Sequence, residues 1–140
     1  ICHALEHYSP NNNRSQLVRT ERNTLIEDAY NANPTSMAAA IDNFERIRVD
    51  QPKMVILGDM LELGTASEEE HQRVVDRLKD AVFDRVWLVG AEFARVSIDF
   101  PKFENVEKVK EAIEQEQTSG YYILVKGSNG IHLAQLKDVL

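Results

Sequence analysis

The chain holds one cysteine, Cys2, so no disulfide can form within it, and a reducing compartment fits. No apolar run approaches the roughly 20 residues that a membrane-spanning helix needs. No basic stretch followed by an apolar one opens the sequence, so no signal peptide is read in it. Basic residues are scarce: 16 Lys and Arg stand against 23 Asp and Glu, a formal charge of −7. That argues against general nucleic-acid binding, because neutralising a phosphate backbone takes clustered Lys and Arg. A single nucleotide is not excluded, since a helix N-terminus and one or two basic side chains can hold its phosphates. Only six glycines occur, and none lies in a Gly-x-x-x-x-Gly-Lys-Ser/Thr loop, so the chain has no Walker cradle for a triphosphate. There is neither a metal-ligand cluster nor a nucleophile elbow.

What is present suffices for one ordinary domain. At 140 residues, 43% hydrophobic and 28% charged, the chain can bury a real core. Residues 1–8 read as the end of a helix. Ser9-Pro10-Asn11-Asn12-Asn13 is a cluster of chain breakers, so residues 1–10 are expected to be the tail of a preceding domain with its linker, and residues 11–140 the domain itself. The start at Ile1, without Met, favours a fragment of something longer. Stretches 15–21 and 24–28, separated by Arg22-Asn23, predict a short hairpin or bent strand. Asn33 is an N-cap candidate with Pro34 at the first helical position, and Met37, Ala40, Ile41, Phe44 and Ile47 recur at helical spacing. Met54-Val55-Ile56-Leu57 is continuously apolar, as expected of a strand covered on both faces. Ser67 and Glu70 predict a capping box for a helix with His71, Val74, Val75, Leu78 and Val82 inward. Strands follow at 85–89 and 121–125, and 100–103 predicts a short edge strand. Asn105 caps a helix burying Val106, Val109 and Ile113, and a closing helix carries Leu133, Leu136 and Leu140. The alternation β-β-α-β-α-β-α-β-α predicts an α/β fold: a mostly parallel sheet with helices on both faces.

Four polar clusters fall at the predicted carboxyl ends of strands, where ligands of open α/β sheets gather. They are Asp28 with Asn31 and Asn33, Asp59 with Glu62, the Gly90 turn, and Lys126 with Ser128. A carboxylate such as Asp28 suits ribose hydroxyls, and equally suits capping the next helix. Asn31 and Asn33 suit a substrate amide or carboxylate, and equally suit turns and caps. Arg14 has a guanidinium that can fork onto a phosphate or stand in solvent. Lys126 is either an anion site at a strand tip or a lysine snorkelling at the surface. Asp59 and Glu62 offer acid–base or Mg²⁺ chemistry, against a purely structural loop. His71, on an apolar helix face, reads as a packing histidine able to bond the 59–62 loop and fix its shape.

Taken together, Asp28-Ala29-Tyr30-Asn31-Ala32-Asn33-Pro34-Thr35-Ser36-Met37, Leu57-Gly58-Asp59-Met60-Leu61-Glu62-Leu63-Gly64, His71 and Val125-Lys126-Gly127-Ser128 resemble the C-terminal domain of a Mur ligase. The resemblance runs from about Tyr8 to Leu140, and the first two motifs are long and specific. It is greatest to the branch that adds D-alanyl-D-alanine to UDP-N-acetylmuramoyl-tripeptide in bacterial peptidoglycan precursor synthesis. It implies a Rossmann-like domain that closes over ATP and brings in the dipeptide. The family's central domain holds Mg²⁺ and most of the ATP, and its N-terminal domain holds the UDP-sugar peptide. By this resemblance Arg14 reaches the nucleotide phosphates and Asp28 the ribose, while Asn31, Asn33, Lys126 and Ser128 lie on the substrate side. Where the family often has a basic residue after Gly-Ser, this chain has Asn129. A cytoplasmic monomer is implied, with the fragment inactive alone and no certain catalytic residue of its own. Two other readings stay open at this point: a phospho-receiver-type domain built on Asp59 and Lys126, and a stand-alone nucleotide-binding module.

Overall fold

Met54, Val55, Ile56 and Leu57 are all fully buried, and the sheet is built around them. The structure is a computed structural model that describes residues 16–20, 22–28, 34–60, 64–81, 83–96, 98, 100–116, 119–127 and 136, with backbone alone at 16–18 and 27–28. Its elements are β1 (Gln16–Arg19), β2 (Thr24–Asp28), α1 (Pro34–Arg46), β3 (Lys53–Gly58), a 3₁₀ turn (Gly64–Ala66), α2 (Ser67–Asp80), β4 (Arg85–Val89), α3 (Ala91–Ala94), β5 (Lys102–Phe103), α4 (Val106–Glu116) and β6 (Tyr122–Lys126). Among the described residues the sheet runs β1-β2-β6-β3-β4-β5. Only β1 is antiparallel to its neighbour, so the expected α/β sheet, hairpin and edge strand are all present. The N-terminal tail, Val82 and the closing helix apart from Leu136 lie outside the described residues.

Strand alternation divides the core in two. Ile26, Val55, Leu57, Leu88 and Leu124 face α1, α2 and α3, packing on Met37, Ile41, Phe44, Val74, Val75, Leu78 and Phe93. Leu25, Ile56, Trp87, Val89, Ile123 and Val125 face α4, packing on Val106, Val109 and Ile113, with Leu136 in the same cluster. Each such side chain, fully buried, contributes about 1.5–3 kcal/mol before entropy is counted. Topology explains the division. The steps β2→β3, β3→β4 and β4→β5 move one way across the sheet, and β5→β6 moves back. Right-handed crossovers then place the first three helices on one face and the fourth on the other.

The turns show where local signals suffice. Asn105 caps α4 as expected, its Oδ1 accepting the Lys108 N–H at 3.1 Å. The hairpin turn is closed by Thr20, whose Oγ1 accepts the Asn23 N–H at 2.9 Å. Asn23 is itself buried, and its Oδ1 accepts the Tyr121 N–H at 3.0 Å, tying the hairpin to the start of β6. The predicted capping box does not form. Ala66, at φ −84° and ψ −5°, is already helical because the 3₁₀ turn feeds straight into α2, so Ser67 is the first helical residue rather than a cap. Glu70 instead pairs with Arg73 at 3.1 Å. Among the described residues no helix is long and apolar enough to cross a membrane.

Candidate functional site at the carboxyl edge of the sheet

The parallel strands end in register. Asp28 of β2 stands opposite Lys126 of β6, and Lys126 stands opposite Leu57 of β3. Gly58 stands opposite Val89 of β4, so the strand ends that carry all four predicted clusters reach one edge. Chain direction makes this edge a switch point. The helices following β2 and β3 lie on one face, whereas Leu136, after β6, is buried on the other. A crevice opens where consecutive connections part in this way, which is where open α/β sheets bind ligands. Asp28 and Lys126 flank that point. Lys126 ends β6 and is 0% exposed, which removes the alternative of a lysine snorkelling at the surface. Arg14, Asn31, Asn33, Ser128 and Glu62 lie outside the described residues.

Next to this point, the ends of β3 and β4 are latched together. The Asp59 N–H donates to the Val89 carbonyl at 3.1 Å. The Asp59 carboxylate accepts the Glu92 and Phe93 N–H groups, each at 3.0 Å, and so satisfies donors at the start of α3 that have no partner within the helix. Burial pushes the Asp59 carboxyl above its ordinary range, and the two N–H bonds work against that shift. With both oxygens engaged and the residue 3% exposed, Asp59 is no phosphoacceptor, and the phospho-receiver reading falls. The same bonds leave it little capacity as a Mg²⁺ ligand, and among the described residues no three His, Cys, Asp or Glu side chains gather around a common point. Asp59→Asn is expected to cost about 1–3 kcal/mol, because its amide NH₂ must face one of the two N–H donors. Urea denaturation at neutral pH checks this; an unchanged midpoint would leave the latch without energetic weight.

His71 fixes the other side of the loop, as the sequence suggests. It is 0% exposed. Its Nδ1 lies 2.6 Å from the Ser67 carbonyl oxygen, which only accepts, so Nδ1 carries the proton. Nε2 is therefore bare, and it accepts the Met60 N–H at 2.9 Å. The ring stands edge-on to Phe93, with centroids 4.6 Å apart. The Ser67 hydroxyl donates to the Glu92 carboxylate and holds that group below the ordinary carboxylate range. Sequence reasoning missed this bond and the Asp59 latch, because each joins residues that local patterns treat separately. The sole available signal was an aspartate following one strand and a glycine following the next.

Comparison with known proteins adds to this geometry. The family model described as "Mur ligase, glutamate ligase domain" matches residues 13–129. A UDP-N-acetylmuramoyl-tripeptide–D-alanyl-D-alanine ligase of Rickettsia prowazekii is 34% identical over 131 residues, covering 89% of this chain and 29% of that protein. The ligase of the same name from Bacillus subtilis is 34% identical over 138 residues, covering 91% and 30%. Among solved structures, a crystal structure of MurF from Acinetobacter baumannii matches with a TM-score of 0.75 at 26% identity, over 91% of this chain and 29% of that one. The chain thus spans under a third of the length of each of these relatives.

Proposed function

The chain belongs to the Mur ligase family through its glutamate ligase domain, and on that premise we propose that it is the nucleotide-closing, dipeptide-presenting part of an ATP-dependent ligase. The reaction is addition of D-alanyl-D-alanine to UDP-N-acetylmuramoyl-tripeptide, in the bacterial cytoplasm, during peptidoglycan precursor synthesis. One observation carries the reading of the site: Asp28, Lys126 and Leu57 stand in register at the switch point of the sheet. The named relatives supply the choice of substrate.

Within this reading Asp28 accepts hydrogen bonds from the ribose and Arg14 reaches the phosphates. Asn31, Asn33, Lys126 and Ser128 serve the side from which the dipeptide enters. Mg²⁺, when bound, neutralises phosphate charge. Asp59 is already committed to α3, and within this reading the metal and triphosphate are held mainly by parts of the ligase beyond this chain. The chemistry is an acyl phosphate on the tripeptide carboxylate, attacked by the dipeptide amine with loss of phosphate. This domain contributes orientation and charge neutralisation on closing, effects able to supply several kcal/mol of barrier reduction.

The test is a coupled assay on the complete protein that carries this chain. Phosphate release is expected only when ATP, UDP-N-acetylmuramoyl-tripeptide and D-alanyl-D-alanine are all present, and none is expected from the 140-residue chain alone. Turnover with a single amino acid in place of the dipeptide would refute the substrate; turnover by the chain alone would refute the division of labour.

A further inference from the structure

A lysine is rarely taken wholly out of water unless it is paired. Lys126 is 0% exposed, the only buried lysine among the described residues. An ammonium in such a place needs an anion or several acceptors close by. Along β6, Lys126 falls on the face of Leu124, the face covered by α1, α2 and α3. Along β2, position 28 falls on the face of Ile26, which belongs to the same cluster. The two strands are parallel and in register there, with Asp28 opposite Lys126. The two positions are therefore neighbours on one face, about 4.8 Å apart. Other acids of this face are engaged elsewhere. Asp59 accepts the Glu92 and Phe93 N–H groups, and Asp42 and Glu45 of α1 pair with Arg77 of α2. Position 27 falls on the opposite face.

We propose that Lys126 is a positioning residue for the nucleotide: it holds the Asp28 carboxylate at the switch point, oriented toward the ribose, and so sets the preference of the site for a ribose over a deoxyribose. This rests on the function proposed above, in which Asp28 serves the ribose, and gives the charge of Lys126 a task on that side as well as toward the dipeptide. A carboxylate has about four lone-pair sites, so an ammonium and two hydroxyls fit on it together. The dependence runs one way. Without Lys126 the carboxylate is free to turn from the ribose to water. Without Asp28 the space left at the sheet edge admits water to the ammonium, so that loss falls on the nucleotide rather than on the fold.

The experiment measures the KM for ATP and for 2′-deoxy-ATP in the complete ligase, as wild type, Lys126→Met, Asp28→Ala and the double variant. Methionine keeps most of the length of lysine and drops the charge. Wild type is expected to prefer ATP about tenfold, the equivalent of ~1.4 kcal/mol. Lys126→Met is expected to raise the KM for ATP about tenfold and to narrow that preference below about threefold. In the Asp28→Ala background the same change is expected to move the KM for ATP less than about twofold. A preference that survives in Lys126→Met overturns the proposal, and so do effects of the two substitutions that multiply. A lysine serving only the fold or only the dipeptide would give those results. A second measurement needs no variant: a crystal structure of the complete wild-type protein is expected to show Lys126 Nζ within about 4 Å of an Asp28 carboxylate oxygen. A carboxylate turned away from that ammonium overturns the role whatever the kinetics. Wild type that uses no ATP, or uses both nucleotides alike, overturns it too, and that failure belongs to the functional reading because it appears before Lys126 is touched.

Discussion

Gly90→Ala is expected to destabilise the fold by about 4–6 kcal/mol, a large part of the 5–15 kcal/mol that typically holds a domain together. Gly90 sits at φ 115° and ψ 166°, a region that side-chain-bearing residues essentially do not enter. That conformation alone costs on the order of 1–3 kcal/mol. Space makes matters worse. A Cβ on Gly90 would lie 2.3 Å from Asp59 Cγ and 2.3 Å from its Oδ2. The carboxylate would have to swing away, giving up its bonds to the Glu92 and Phe93 N–H groups and leaving buried donors unmatched. Gly64 and Gly120 provide the control. Both have positive φ, but an added Cβ at either meets nothing within 4 Å. Alanine there is expected to cost about 1 kcal/mol, from backbone strain alone. Urea midpoints of the three variants decide the matter; if Gly90→Ala unfolds with the other two, the latch has been misjudged. A cycle with Asp59→Ala sharpens the test, because that change should cost less in the Gly90→Ala background than in the wild type.

The parts of this molecule legible in its sequence are those whose physics is local or periodic. The strands at 54–57, 85–89 and 121–125 announce themselves because burial on both faces demands unbroken apolar runs. Met37, Ile41 and Phe44 announce α1 because one buried face repeats every three or four residues. The stretch 91–105 resists reading for the opposite reason. A helix of four residues, Ala91–Ala94, is too short to show a period, and its opening N–H groups are capped by Asp59, a residue from another strand. The capping box at Ser67 fails because the motif is blind to a 3₁₀ turn that extends the helix backwards. The site divides in the same manner. That Asp28 and Lys126 share an edge follows from strand order, once alternation implies a parallel sheet. That Lys126 is wholly buried does not follow, since a lysine after four apolar residues fits a buried strand end as well as an exposed tip. His71 was readable as the support of the 59–62 loop because an imidazole on an apolar face must find polar partners nearby.

Asp28→Ala in the complete ligase is expected to raise the KM for ATP about 100-fold while leaving the fold nearly intact. Hydrogen bonds to a carboxylate are each worth about 1.5–3 kcal/mol when a partner is removed, and a ribose offers two hydroxyls. Losing both at the low end of that range gives about 3 kcal/mol, or about two factors of ten. The fold should tolerate the change because the ladder at this position is made by backbone, Asp28 pairing with Lys126 whatever side chain it bears. Strand propensity costs at most about 1 kcal/mol. Asp28→Asn keeps one full acceptor and should fall in between, near tenfold. ATP lacking a ribose hydroxyl separates a ribose contact from a general disturbance of the edge. Wild type should lose affinity for the deoxynucleotide, whereas Asp28→Ala, with no carboxylate left to miss the hydroxyl, should bind the two nucleotides alike. An Asp28→Ala variant that still discriminates between them would place the ribose elsewhere on the sheet edge, and the switch point between β2 and β6 would lose its ligand.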